Sequence, residues 1–106
     1  PAVYVRPPQV LPHHIARIAP TPGDRNPLLA PGARAGVLTV ATERLWAKHG
    51  LNLHDPTHHA DIERVLPPTL WEAVRPDRVD RRGMLVPRTR LLHSDLDRLL
   101  DDLESI

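Results

Sequence analysis

PGARAGVLTVATERLWAKHG, residues 31–50, is the stretch that decides how this chain folds. Pro31 suits the first position of a helix, and Gly50 suits the position just past its end. Between them Val37, Leu38, Val40, Ala41, Leu45 and Trp46 recur near the helical period and form a broad apolar face. Lys48 and His49 fall in the last turn, where unpaired carbonyls favour positive charge. Leu51 is placed to close that end with an apolar contact. The spacing predicts one long helix that needs partners for its apolar side.

The chain downstream offers them. Asp55 is a good N-cap and Pro56 a good first residue, so a second helix is expected there, with Ile62, Val65 and Leu66 on one side. Pro67 and Pro68 end it. Thr69 to Val74 allow one or two more turns, with Leu70, Trp71 and Val74 facing inward, before Pro76. The last helix is expected to use Ser94 as its cap, with Asp97 three residues on. Leu96, Leu99, Leu100 and Leu103 then form an i, i+3, i+4, i+7 stripe, and Asp95, Asp97, Arg98, Asp101, Asp102 and Glu104 cover the other face. Between these helices, Arg75, Asp77, Arg78, Asp80, Arg81 and Arg82 read as a solvated polar run. Met84–Val86 and Arg88–Leu92 read as two short extended pieces, with Pro87 confining them to an edge or a bend.

Residues 1–35 differ in kind. Eight of the thirteen prolines lie here, at 1, 7, 8, 12, 20, 22, 27 and 31. Each fixes its own φ and biases its predecessor toward extended backbone. Only a turn around His13 to Ile18 escapes them. Yet Val3, Tyr4, Val5, Val10, Leu11, Ile15, Ile18, Leu28 and Leu29 stud the segment, more apolar content than a linker needs. The expected fold is therefore mainly α. A small bundle of three to four helices occupies residues 33–106, with room for one short β-hairpin, and a long extended proline-rich arm occupies residues 1–32. Leu45, Trp46, Ile62, Val65, Leu66, Leu99 and Leu103 are expected in the core, and Trp71 either there or at an interface.

Composition narrows the classes of function. The 106 residues suffice for one domain. With the arm set aside, the body is near the size at which small domains need help from a partner. There is no Cys, so disulfides, thiol nucleophiles and thiolate metal sites are excluded. No apolar run approaches the roughly 20 residues of a membrane helix. The N-terminus lacks the basic-then-apolar order of a signal peptide. The expectation is a soluble protein, intracellular or carried within a virion or other particle. Net charge is +1, but thirteen of the fourteen basic residues are Arg, with Lys48 the exception. A GC-rich coding sequence accounts for such a bias; Arg is also the cation favoured at interfaces.

Candidate chemistry is sparse. His54, Asp55, His58, His59 and Asp61 have helical spacings that would let two His and a carboxylate approach a metal. There is no HExxH arrangement and no distant third ligand, and Asp55 and Asp61 have ready roles at a helix start. His54-Asp55 is similar to the HD pair of metal-dependent phosphohydrolases, over two residues only, and the larger bundle bearing their further ligands has no room here. Pro1 resembles the N-terminal proline base of tautomerases, but Pro7 and Pro8 break the strand and no βαβ unit follows. No glycine-rich phosphate loop or GxSxG is present. No catalytic residue, metal or cofactor is expected.

Two binding roles remain. Arg75, Arg78, Arg81, Arg82, Arg88 and Arg90 cluster in one segment, and a hairpin before a last helix looks like the wing of excisionase-like winged-helix proteins over about the final 25 residues. That resemblance implies a DNA-binding regulator using residues 75–90. However, Pro67, Pro68 and Pro76 interrupt the place of a recognition helix, and Asp77 and Asp80 dilute the positive charge. The other reading is a non-enzymatic structural subunit. Its arm residues Val3, Tyr4, Val5, Val10, Leu11 and Ile15, with Trp71, Arg81, Arg82, Arg88 and Arg90, would bind other protein subunits, most simply in a homo-oligomeric ring or shell. A small helical body with a reaching arm is the architecture of head-to-tail connector, completion and decoration proteins of tailed bacteriophages, and of small subunits of contractile injection systems. The assembly reading is the expectation.

Overall fold

The computed structural model describes residues 12–20, 27–86 and 90–106, and it is mainly helical. Helix α1 (Pro12–Ala16) is followed by the long α2 (Pro31–His49). A 3₁₀ turn (Pro56–His58) leads into α3 (His59–Val65), and α4 (Pro68–Val74) follows directly. Strands β1 (Arg78–Val79) and β2 (Leu85–Val86) pair antiparallel, and a second 3₁₀ turn (His93–Asp95) opens α5 (Leu96–Ser105).

The ends of α2 follow from its sequence. Pro31 occupies the first turn, and Gly50 sits at φ 64°, in the left-handed region that closes a helix. The Gly50 N–H donates to Trp46 O at 3.1 Å, and the Leu51 N–H reaches back to Leu45 O at 3.2 Å. Ala33, Val37, Val40, Ala41 and Leu45 are buried, and α4 and α5 pack on this helix. From α5, Leu96, Leu99 and Leu103 are buried. Two side chains of α2 hold the far end of α5: Arg44 donates to the carbonyl of Leu103, and Lys48 Nζ donates to that of Ile106 at 2.7 Å. A cation on the carbonyls at a helix C-terminus is favourable both as a hydrogen-bond donor and against the helix dipole.

Two residues expected in the core are not there. Trp46 is 40% exposed and Val65 39%. All of the last turn of α2, Trp46 to His49, is exposed. The seven-residue α3 commits Ile62 to the interior, with Leu66 just beyond its end, and Val65 turns outward. The start of α5 also differs. Ser94 is exposed, α5 begins without a side-chain cap, and Asp95 instead secures the 3₁₀ turn before it, its Oδ2 accepting from the Leu92 N–H at 2.8 Å.

The largest departure concerns the arm. Val3, Tyr4, Val5, Val10 and Leu11 lie outside the described residues, but Ile15, expected to face a partner subunit, is buried in the chain's own core. Helix α1 packs on α2 and α5. Further along, residues 27–29 lie antiparallel to 91–93: Leu29 N–H donates to Leu91 O, His93 N–H donates to Pro27 O, both at 2.9 Å, and Leu28 bridges Leu92. Leu29, Ala30 and Leu91 are buried by this clasp.

Gly36 explains how α1 comes so close. A glycine inside a helix costs about 1 kcal/mol relative to alanine. Here a Cβ at position 36 would stand 2.8 Å from Ile15 Cγ1, so the absence of a side chain makes the seat for Ile15. At Gly32 a Cβ would meet Ile18 Cγ2 at an ordinary 3.5 Å. Gly36→Ala is therefore expected to destabilise by about 1–2 kcal/mol through overpacking, while Gly32→Ala is neutral or gains up to about 1 kcal/mol of helix propensity. Urea unfolding of the two variants reads the difference. A Gly36→Ala chain as stable as the parent would mean that α1 does not sit in this seat.

Candidate functional site

The polar run before Gly83, expected as a solvated loop, contains the first strand of a hairpin. Val79 faces Leu85 and Arg78 faces Val86, so the strand partner of β2 lies upstream of the turn rather than in residues 88–92. Asp80 makes the turn. Its backbone N–H donates to Met84 O at 2.8 Å, and its carbonyl accepts from the Gly83 N–H at 3.1 Å. Its Oδ1 accepts from the N–H groups of Arg82 (2.8 Å) and Met84 (3.0 Å). Gly83 takes φ 81°. Asp at the first and Gly at the fourth position of a turn, with that Gly left-handed, is the signature of a three-residue hairpin loop. That signal was present in the sequence as Asp80-Arg81-Arg82-Gly83.

Every residue from 79 to 85 is exposed. Val79 is 58% exposed, Met84 65% and Leu85 71%. Arg81 and Arg82, which the sequence singled out, occupy the tip between these apolar flanks. A two-stranded hairpin gains little stability by itself, and this one buries nothing between 79 and 85. At its base the chain is firmly held. Arg75, expected in solvent, is buried, and its Nε donates to Glu72 Oε2 at 2.8 Å one turn back on α4. The whole side chain, guanidinium included, is buried, and Glu72 supplies the carboxylate a buried cation needs.

The remaining site residues fall elsewhere. Arg88 lies outside the described residues. Arg90 is exposed and borders an open groove of about 290 Å³ with Pro68, Thr69, Glu72, Leu91 and Asp95. Glu72 and Asp95 are already engaged, by Arg75 and by the Leu92 N–H. Trp71 is half-buried against the core, with the His59 ring edge-on at 6.0 Å.

Of the histidine cluster, His54 is exposed, and His58 and His59 serve the backbone. His58 Nδ1 accepts from the Asn52 N–H at 2.9 Å, and its Nε2 lies 3.8 Å from Asp55 Oδ2. His59 Nε2 donates to Leu53 O at 2.9 Å, since a carbonyl can only accept. The two rings pin the 51–55 loop to α3. Asp55 caps the 3₁₀ turn through Oδ1, accepting from the Thr57 hydroxyl at 2.7 Å and the Thr57 N–H at 2.9 Å. These bonds hold its carboxyl below the usual carboxylate range. The cap therefore contributes above the ordinary carboxylate pKa and is lost as pH falls through the lowered one. Among the described residues, no three His, Asp or Glu side chains converge as a metal site would require. Nor is any described helix long and apolar enough to cross a membrane.

Comparison with protein families, curated proteins and solved structures finds no match to this chain.

Proposed function

We propose that the chain is a non-enzymatic assembly subunit that docks into a larger multi-subunit particle, with the hairpin as its docking element. The observation that carries this reading is the exposure of Val79, Met84 and Leu85 on a hairpin whose residues 79–85 are all exposed. The register partners Val79 and Leu85 share one face of the hairpin, with Met84 on the other and Arg81 and Arg82 at the tip between them, and Arg and Met are residue types enriched at protein-binding surfaces. A nucleic-acid surface rewards cations but gives little return for bare aliphatic groups along a backbone of phosphates. Burying those three side chains on a partner would return much of the roughly 25 cal/mol per Å² that their exposure forfeits. The arm residues Val3, Tyr4, Val5, Val10 and Leu11 are proposed as further partner contacts. A ring or shell of copies, of the kind built by tailed-phage connector, completion or decoration proteins, is the form of particle this composition suits.

Light scattering across a concentration series tests the reading, on the chain itself and on a Val79→Thr, Met84→Gln, Leu85→Thr variant. The parent is expected at a discrete multiple of 11.9 kDa, and the variant at the mass of one chain with unchanged far-UV circular dichroism. A parent that stays monomeric at every concentration would overturn the proposal. If that monomer bound duplex DNA, with affinity falling steeply as salt rises, a regulator acting through residues 75–90 would take its place.

A further inference from the structure

We infer that the hairpin of one copy docks on the outer face of α5 of the next, joining copies head to tail. This rests on the reading of the chain as an assembly subunit, and it names the partner of the same hairpin.

The tip determines what it can meet. Arg81 and Arg82 are exposed, and the carboxylate of Asp80 is turned inward onto the N–H groups of Arg82 and Met84. A two-fold contact between hairpins would set guanidinium against guanidinium, because an isologous interface pairs each surface with itself. The tip instead calls for an acidic surface with an apolar component.

Helix α5 presents one. Asp97, Asp101 and Glu104 are exposed at i, i+4 and i+7, a single row along the helix. Leu100, at i+3 on that row, is half-buried at the edge of the core. The row is a strip of three carboxylates with one aliphatic side chain among them. The hairpin is the converse: two guanidinium groups at the tip, beside the face that carries the register partners Val79 and Leu85. The exposed Arg98, about 100° around the helix from Asp97 but three residues before Asp101, borders the row on its other side and offsets part of its charge, leaving Asp97 and Glu104 the less compensated carboxylates. The platform is rigid, since Leu96, Leu99 and Leu103 are buried beneath it and Arg44 and Lys48 of α2 fasten its far end. Because the two surfaces differ, every docked copy still offers one hairpin and one helix face. Such a contact closes into a ring or continues as a filament.

Two variants test it: Arg81→Ala with Arg82→Ala, and Asp97→Asn with Asp101→Asn and Glu104→Gln. All five positions are exposed, so both variants are expected to keep the parent's circular dichroism and unfolding midpoint. Each alone should associate at least about tenfold more weakly than the parent and run as a single chain where the parent is assembled. Mixed in equal amounts they should give a 1:1 dimer and nothing larger, because one intact hairpin then meets one intact α5. If the variants stay assembled, the head-to-tail contact is wrong and the assembly reading stands. If each is monomeric but the mixture is too, the pairing of hairpin with α5 is wrong. A monomeric parent would remove both this inference and the reading beneath it.

Discussion

Replacing Ile15 with alanine is expected to lower the free energy of unfolding by about 2–4 kcal/mol, the usual range for emptying a buried aliphatic site. Native domains hold about 5–15 kcal/mol in all, so this one side chain, within the stretch whose composition suggests an outward-facing arm, would carry a sizeable share. The size follows from its surroundings. Ile15 is buried, α1 packs on both α2 and α5, and Gly36 leaves the space into which its Cγ1 fits. At five residues α1 cannot hold its helix alone. Loss of Ile15 therefore releases the element as well as its contacts. A chain beginning at residue 21 is expected to lose at least as much, whereas one beginning at residue 12 retains every contact described here. Urea denaturation of the three chains measures this. The cycle with Gly36 adds a sharper reading: Gly36→Ala, destabilising in the parent, should be neutral or stabilising once Ile15 is alanine, because the atom it would strike is gone. An Ile15→Ala chain of parental stability that fails to assemble would return Ile15 to the partner surface.

What could be read from sequence was whatever is written locally. Pro31 and Gly50 bracket α2 because a missing donor and a left-handed backbone are properties of single residues. The leucines of α5 are legible because their spacing is a property of one helix. The seat of Ile15 is not local: it depends on a glycine 21 positions later in the chain, across a segment whose prolines give no sign of return. Competing local signals misled elsewhere. Ser94 with Asp97 has the spacing of a capping box, but the backbone path leaves Ser94 exposed and brings the Leu92 N–H to Asp95 instead. Arg75 opens a run of charges, and charge alone suggests water; its burial rests on the carboxylate of Glu72 one turn back. Of the candidate site, the two tip arginines were visible as cations. Val79, Met84 and Leu85 were not visible as exposed, since apolar residues in a short strand ordinarily face a core. Here, among the described residues, the strands are two residues long and every residue from 79 to 85 is exposed.

The second large effect belongs to Leu70. Leu70→Ala is expected to cost about 3–5 kcal/mol, toward the upper end for leucine truncations, because of where α4 lies. It is seven residues long, with Pro67 before it and Pro76 shortly after, and a helix under about 12 residues is marginal in water without packing. What holds it is Leu70, Ala73 and Val74, all buried, against α2, α3 and α5. Leu70 is fully buried on a helix that packs against three others, so a cavity there would open where four elements meet, and the neighbouring Ala73 is too small to fill it. Leu70→Met, which conserves volume, should cost less than about 1.5 kcal/mol. Val65→Ala, at a half-exposed position at the end of α3, should cost under about 1 kcal/mol. Trp71 supplies a local readout, since its ring packs edge-on to His59. In a Trp46→Phe background its fluorescence follows α4 alone. In Leu70→Ala the fluorescence and far-UV transitions should move together to lower urea. A Trp71 transition preceding the far-UV one would mean that α4 unfolds by itself and is not part of the cooperative core. The position of α4 also bears on docking, because Arg75 at its end, buried and bonded to Glu72, is the base from which the hairpin leaves. A variant that loosens α4 should therefore weaken self-association while leaving Arg81, Arg82 and the apolar flanks unchanged.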